Sequence, residues 1–203
     1  IVNCVGTNNA NNIDINARTA HFCIYGVPGQ IARRCSIVDC TGITSGLHGV
    51  QIYCYSDQCS IIGGHYEDFV YAGVAIGHPD FVDTCSNCVV EGVTIYHAAA
   101  TQNNCGIGTM SDDVVIKGCS VELVNVAGEY SKGIVLQNAD RCTIEGNHVT
   151  GTSTGIWLRG CSRSTFAGNT VYGAATYLMA ATDGASYNEI SSNILSAGPI
   201  GIR

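Results

Sequence analysis

Apolar residues recur along this chain in short alternating runs of three or four, not at helical spacing. Alternation of that kind marks half-buried strands. The clearest unit reads Gly133-Ile134-Val135-Leu136, then Cys142-Thr143-Ile144-Glu145, then Gly146-Asn147-His148-Val149. It returns 22 residues later as Gly155-Ile156-Trp157-Leu158, Ser164-Thr165-Phe166-Ala167 and Gly168-Asn169-Thr170-Val171. Longer variants begin at Gly49, Gly73 and Gly106, and degenerate copies lie around Cys35–Val38 and Asn188–Asn193. A fixed period of this length means stacked units that bury their apolar faces only against neighbours. Each unit predicts one coil of three short strands, with the second and third joined by a tight Gly-Asn turn. The chain is therefore expected to be an all-β solenoid, a parallel β-helix of about eight coils. At a strand spacing of about 4.8 Å it would form a rod roughly 40 Å long.

The same alternation sorts side chains. Ile134, Leu136, Ile144 and Val149 point inward. Asn147, Asn169 and Asn193 fall in one column, where their amides can stack coil on coil. Cys35, Cys59, Cys88 and Cys142 fall in another, and Cys40 and Cys119 share the Asn column. Twelve cysteines can signal a disulfide framework, but so many in register read first as buried free thiols filling core columns. Neither end offers a capping helix or a charged edge. Residues 1–203 are thus expected to be a single β-helix domain within a longer chain.

Composition narrows the function. Charged residues make up 12% of the chain, about half the ~25% of ordinary domains, so polarity rests on Asn, Ser and Thr. The net charge is −7 with only 9 Lys plus Arg, which argues against nucleic acid. It also weighs against strongly anionic polymers unless a cation bridges them. No apolar run is long enough to predict a membrane span. No pair of CxxC motifs with partner histidines predicts a metal site.

Four surfaces remain as candidates. The outward residues of the first strands are Gln51, Ala75, Gly108, Val135, Trp157 and Leu178, a small apolar face on which Trp157 can stack against a pyranose ring. The second strands present Glu91, Lys117 and Glu145, an expected salt ladder. The third strands present His65, Glu67, Tyr96, Ser120, Glu122, His148, Thr150 and Tyr172. There Glu67 and Glu122 lie two coils apart, roughly 10 Å by strand spacing, near the upper limit for an inverting glycosidase pair, with Tyr96 between them to hold sugar. The turn after the first strand carries Asp57, Asp80, Asp83, Asp112, Asp113, Asp140 and Asp183. Asp80 or Asp83 one coil from Asp112 or Asp113 would give a close carboxylate pair, which raises the pKa of one member as a general acid requires. Such an oxygen-only cluster also suits calcium; otherwise no cofactor is expected. The pattern sets no Arg or Lys beside these acids.

The Gly-Ile-x-Leu … Thr-Ile-x-Gly-Asn-x-Val pattern resembles the pectin-lyase-like superfamily of right-handed parallel β-helices, and within it the central body of bacteriophage tailspikes. The resemblance implies a homotrimer on the virion tail, outside the cell, that cleaves bacterial surface polysaccharide. It suggests a depolymerase of the glycoside hydrolase type, with Asp80 or Asp83 and Asp112 or Asp113 as acid and base or nucleophile, and Glu67, Tyr96, Glu122 and Trp157 against the substrate. A non-catalytic adhesin segment and a polysaccharide lyase or epimerase are the alternatives. Ser111-Asp112-Asp113-Val114 also resembles the Asp-Asp segment of polygalacturonases. However, no Asn-Thr-Asp precedes it and no Arg-Ile-Lys follows, so that activity does not carry over.

Overall fold

The computed structural model describes residues 1–7, 20–45, 47–77, 85–98, 104–124 and 131–198. These residues form strands, turns and bends, and no helix is long and apolar enough to cross a membrane. All strand pairing in the sheets is parallel and in register from one coil to the next. The repeat read from the sequence is the physical register: Ile134 pairs with Ile156 and Leu136 with Leu158.

Three long sheets run the length of the solenoid. The first contains Ala20–Tyr25, His48–Tyr53, Ala72–Ile76, Cys105–Thr109, Lys132–Gln137, Thr154–Arg159 and Tyr177–Thr182. The second contains Ser36–Val38, Ser60–Ile62, Val89–Glu91, Val115–Lys117, Thr143–Glu145, Thr165–Ala167 and Glu189–Ser191. The third contains Val5–Thr7, Thr41–Ser45, His65–Phe69, Thr94–His97, Ser120–Leu123, His148–Thr150, Thr170–Tyr172 and Ile194–Ser196. The described residues thus make seven complete coils and the closing strand of one before them.

Left-handed residues set the corners. Before each second-sheet strand stands one residue with φ of 52–58°: Arg34, Gln58, Asn87, Asp113, Arg141, Arg163 and Tyr187. Between the second and third sheets the same role falls to Gly63, Gly92, Gly118, Gly146 and Gly168, because a residue without Cβ adopts that conformation at little cost. The asparagines that follow do not take the left-handed turn. Asn147, Asn169 and Asn193 turn their amides inward instead. Asn147 Nδ2 donates to Asn169 Oδ1 at 2.9 Å, and Asn169 Nδ2 donates to Asn193 Oδ1 at 2.9 Å. Each amide also donates to a carbonyl of the coil before it, Ile116, Ile144 and Phe166 in turn. Cys119 occupies the same column, its backbone N donating to Asn147 Oδ1 at 2.9 Å.

The core is a column of Ile, Val, Leu and Phe from the three inner faces. Gly133 lies inward, and a Cβ there would meet Val149 Cγ1 and the Gly155 carbonyl. The Gly of the Gly-Ile-x-Leu motif is therefore required by close approach of the first and third sheets. All twelve cysteines are free thiols, eight of them buried. Burial pushes Cys88 and Cys142 up to about 12, which keeps them protonated and inert.

Candidate functional site

The turn between the first and second sheets holds the acids that the sequence singled out. Asp57, Asp112 and Asp140 share one outward column, through the pairings of Asp57 with Ser86, Ser86 with Asp112, and the bonds that follow. Asp113 stands one position on, in the left-handed column, and Asp183 closes a first-sheet strand instead. Asp80 and Asp83 lie outside the described residues. Contrary to the sequence expectation, basic residues do meet these acids. Arg141 donates from Nη2 to Asp112 Oδ2 at 2.9 Å and from Nε to Asp113 Oδ1 at 2.8 Å. Arg163 Nη2 reaches Asp140 Oδ2 at 2.6 Å, and Arg33 Nε lies 3.6 Å from Asp57. The carboxylates also receive the next coil's backbone: Asp140 N donates to Asp112 Oδ1 at 2.7 Å and Ser162 N to Asp140 Oδ1 at 2.8 Å.

This ladder has an electrostatic consequence. The hydrogen bond from Arg141 holds Asp113 below the usual carboxylate range, against slight desolvation. At Asp140 desolvation is outweighed by hydrogen bonds from Arg163 and Ser162, with the same net direction. A general acid needs the opposite shift. Among the described residues no three His, Cys, Asp or Glu gather as metal ligands. The corner is built as an intercoil clamp.

The third sheet's outer face brings together what the sequence placed there. Tyr96 pairs with Glu67 on one side and Glu122 on the other, and Glu122 pairs with Thr150. Glu67 Oε2 sits 3.2 Å from His65 Nε2. On the second sheet Lys117 Nζ lies 3.1 Å from Glu91 Oε1, the first step of the expected salt ladder.

The first sheet's outer face varies along the rod. Cys23 and Tyr25 of its first strand are exposed, but in the next two coils Gln51 is 1% exposed and Tyr53 and Ala72 are buried, although none belongs to the core cluster. In its later coils Cys105, Lys132, Trp157 and Tyr177 are half exposed. Trp157 pairs with Val135 and Ala180, so Ala180 completes the outward column. Leu178 aligns with Gly155 and is buried in the core instead. The Trp157 ring is not a bare platform. Lys132 Nζ lies 4.7 Å from its centroid and Arg159 Cζ 5.8 Å, while its Nε1 donates to Thr182 Oγ1 at 3.0 Å. Attraction of cations to an indole face holds both heads together despite like charge. Desolvation lowers the pKa of Lys132, and Arg159 adds to this. Arg159 also pairs with Asp183. Of these three residues the sequence pattern singles out Trp157 but not Lys132 or Arg159. The signal was present, since the 22-residue register sets Lys132 one coil before Thr154 on Trp157's own strand.

Comparison with known proteins places this geometry. A family model for the right-handed β-helix region matches residues 81–202, more than half of the chain. The chain belongs to the right-handed β-helix family. Among solved structures, this β-helix is similar to the A-module of the mannuronan C-5 epimerase AlgE4 of Azotobacter vinelandii, with a TM-score of 0.55 and 16% identity. The match covers 84% of this chain and 56% of that one, so this β-helix spans little more than half of that module. No curated protein matches the chain in sequence.

Proposed function

We propose that this β-helix recognises an extended acidic polysaccharide, of the uronic-acid type, along the outer face of the later first-sheet coils. The observation that carries the reading is the pair of cations held on Trp157, at 4.7 and 5.8 Å from its ring, in the half-exposed part of a sheet. A row of parallel strands repeats every ~4.8 Å along the rod, a spacing comparable to the advance of one sugar in an extended glycan. Carboxylates on successive sugars then meet Lys132 and Arg159 from outside, with the substrate competing with Asp183 for the guanidinium. The chain's net charge of −7 does not oppose this locally, because the corner acids are matched to Arg33, Arg141 and Arg163. The likeness to a β-helix named for its action on mannuronan supports the substrate class. A bacterial surface polysaccharide rich in uronic acids fits both this cradle and the spike-like pattern of the sequence.

Affinity electrophoresis through gels containing alginate, polygalacturonate or neutral glucan tests the proposal. The protein should be retarded by the two polyuronates and not by the glucan, with retardation weakening as salt rises. Lys132→Ala and Arg159→Ala should each weaken binding about tenfold, the loss of one charge-assisted contact. Equal retardation by neutral glucan, or full retardation of the double variant, would remove this site.

A second reading is cleavage on the third sheet. It rests on the column Glu67–Tyr96–Glu122, whose register sets two carboxylates on either side of a tyrosine. At about two strand spacings they stand near the wide end of the range for an inverting glycosidase. New reducing ends from a bound glycan, lost in Glu67→Gln and Glu122→Gln but kept in Asp112→Asn, would support it. Release unaffected by both glutamine variants would exclude it.

A further inference from the structure

A row of thiols lines the inside of the first corner, and glycan recognition does not use it. Register stacks Cys35, Cys59 and Cys88 one per coil, each immediately before a second-sheet strand. Ser60 N donates to Cys35 O at 2.9 Å, and Val89 N donates to Cys59 O at 3.0 Å. Cys59 and Cys88 are buried, while Cys35 is exposed. The Cys59 thiol reaches both its own coil and the one that carries Cys35: it donates to Asp57 O at 3.4 Å and to Ala32 O at 3.4 Å. One residue on, Ser36 Oγ and Ser60 Oγ are 2.8 Å apart, so side chains at this level approach to bonding distance. In-register parallel strands set the two Cα atoms about 4.8 Å apart, inside the roughly 4.4–6.8 Å over which a disulfide closes.

We propose that Cys35 and Cys59 are an oxidisable dithiol, a modification site at which a low-molecular-weight disulfide such as oxidised glutathione staples two neighbouring coils. The exposed Cys35 gives up its proton to solvent, and its thiolate attacks one sulfur of the small disulfide. A mixed disulfide forms and one small thiolate leaves. Cys59 then loses its proton and attacks the Cys35 sulfur, and the second small thiolate leaves. Two protein thiols become one disulfide, and the small disulfide is reduced to two thiols. Because burial raises the pKa of Cys59, closure is the slow step and accelerates as pH rises. Cys88 takes no part: it is fully buried and held protonated.

The test uses the full chain with oxidised glutathione, alkylation of remaining thiols, and cleavage at Asp and Glu, which separates Cys35 from Cys59. Mass spectrometry should find the Cys35 and Cys59 peptides joined, with two hydrogens lost, and formation faster at pH 8.5 than at pH 7. Cys59→Ser should stop at the mixed disulfide on Cys35, and Cys35→Ser should leave Cys59 unmodified. The oxidised protein should unfold at a higher temperature than the reduced one and revert with dithiothreitol. A wild-type product that carries glutathione on Cys35 and no joined peptide overturns the proposal, as does Cys35 joined to another cysteine. The wild-type product decides alone, so a variant that fails to fold leaves the outcome readable. Glycan retardation is read separately, so neither result stands in for the other.

Discussion

Asn169→Ala tests the buried amide ladder. The Asn169 side chain is wholly buried and makes four hydrogen bonds. It accepts from the backbone N of Asn147 at 3.0 Å and from Asn147 Nδ2 at 2.9 Å. It donates to Ile144 O at 2.9 Å and to Asn193 Oδ1 at 2.9 Å. Truncation leaves the Asn147 backbone donor and one of its amide hydrogens with no acceptor and no water. A buried donor left unsatisfied costs about 1–3 kcal/mol, so two together give a loss of about 3 kcal/mol after partial relaxation. Asn193 is itself half exposed, so its truncation opens a path by which water replaces the lost bonds to Asn169 and Phe166, and Asn193→Ala should cost only about 1 kcal/mol by the same principle. Urea unfolding followed by circular dichroism measures both, with the m-value unchanged because the exposed surface is the same. A loss below about 1 kcal/mol for Asn169→Ala would refute the reasoning, since one orphaned donor alone should exceed it. So would an equal cost at Asn193.

Two further predictions concern shape and charge. Gly133→Ala sets a methyl against Val149 and the Gly155 carbonyl and should cost about 3 kcal/mol through overpacking; Gly108→Ala, where a Cβ meets only Cys105 Sγ at 3.1 Å, should unfold within about 0.5 kcal/mol of wild type, the range of ordinary surface substitutions, and equal urea midpoints for the two variants would contradict the inward placement of Gly133. Asp113 has a folded pKa below its unfolded value because of Arg141, so the unfolded chain binds more protons; the associated stability is present above the unfolded carboxylate pKa of about 3.9 and is lost as pH falls through the depressed folded value. Arg141→Ala should therefore flatten the fall in stability below about pH 4, and a wild-type slope in that variant would sink the clamp.

Much of this architecture is legible in the primary structure, and the exceptions have physical causes. The repeat is legible because every coil solves the same packing problem: an inward Gly where two sheets meet, an inward Ile, a left-handed residue at the corner. The Asn column is legible for the same reason. Leu178 is misplaced because its coil has lost the motif glycine, so setting Leu178 in line with Trp157, whose partner is Ala180, shifts the strand by two positions. The corner pairs are invisible locally. Arg141 follows Asp113 by 28 residues, and nothing in either neighbourhood announces the other until the coil lengths between them are known. That omission changes the chemistry, because carboxylates that look free to act as acids are matched to guanidinium groups. The cation cradle is intermediate. Its three residues sit on two consecutive first-sheet strands, but only the register shows that Lys132 and Arg159 converge on one ring.

A crystal structure of the chain with a hexasaccharide of uronic acid tests the recognition face most directly. The account predicts sugar density along the outer face of the later first-sheet coils, with a carboxylate within about 3.2 Å of Lys132 Nζ or the Arg159 guanidinium, the reach of a hydrogen bond. Density over Glu67, Tyr96 and Glu122, or against the Arg141 corner, with Trp157 still carrying both cations and no sugar, would contradict it.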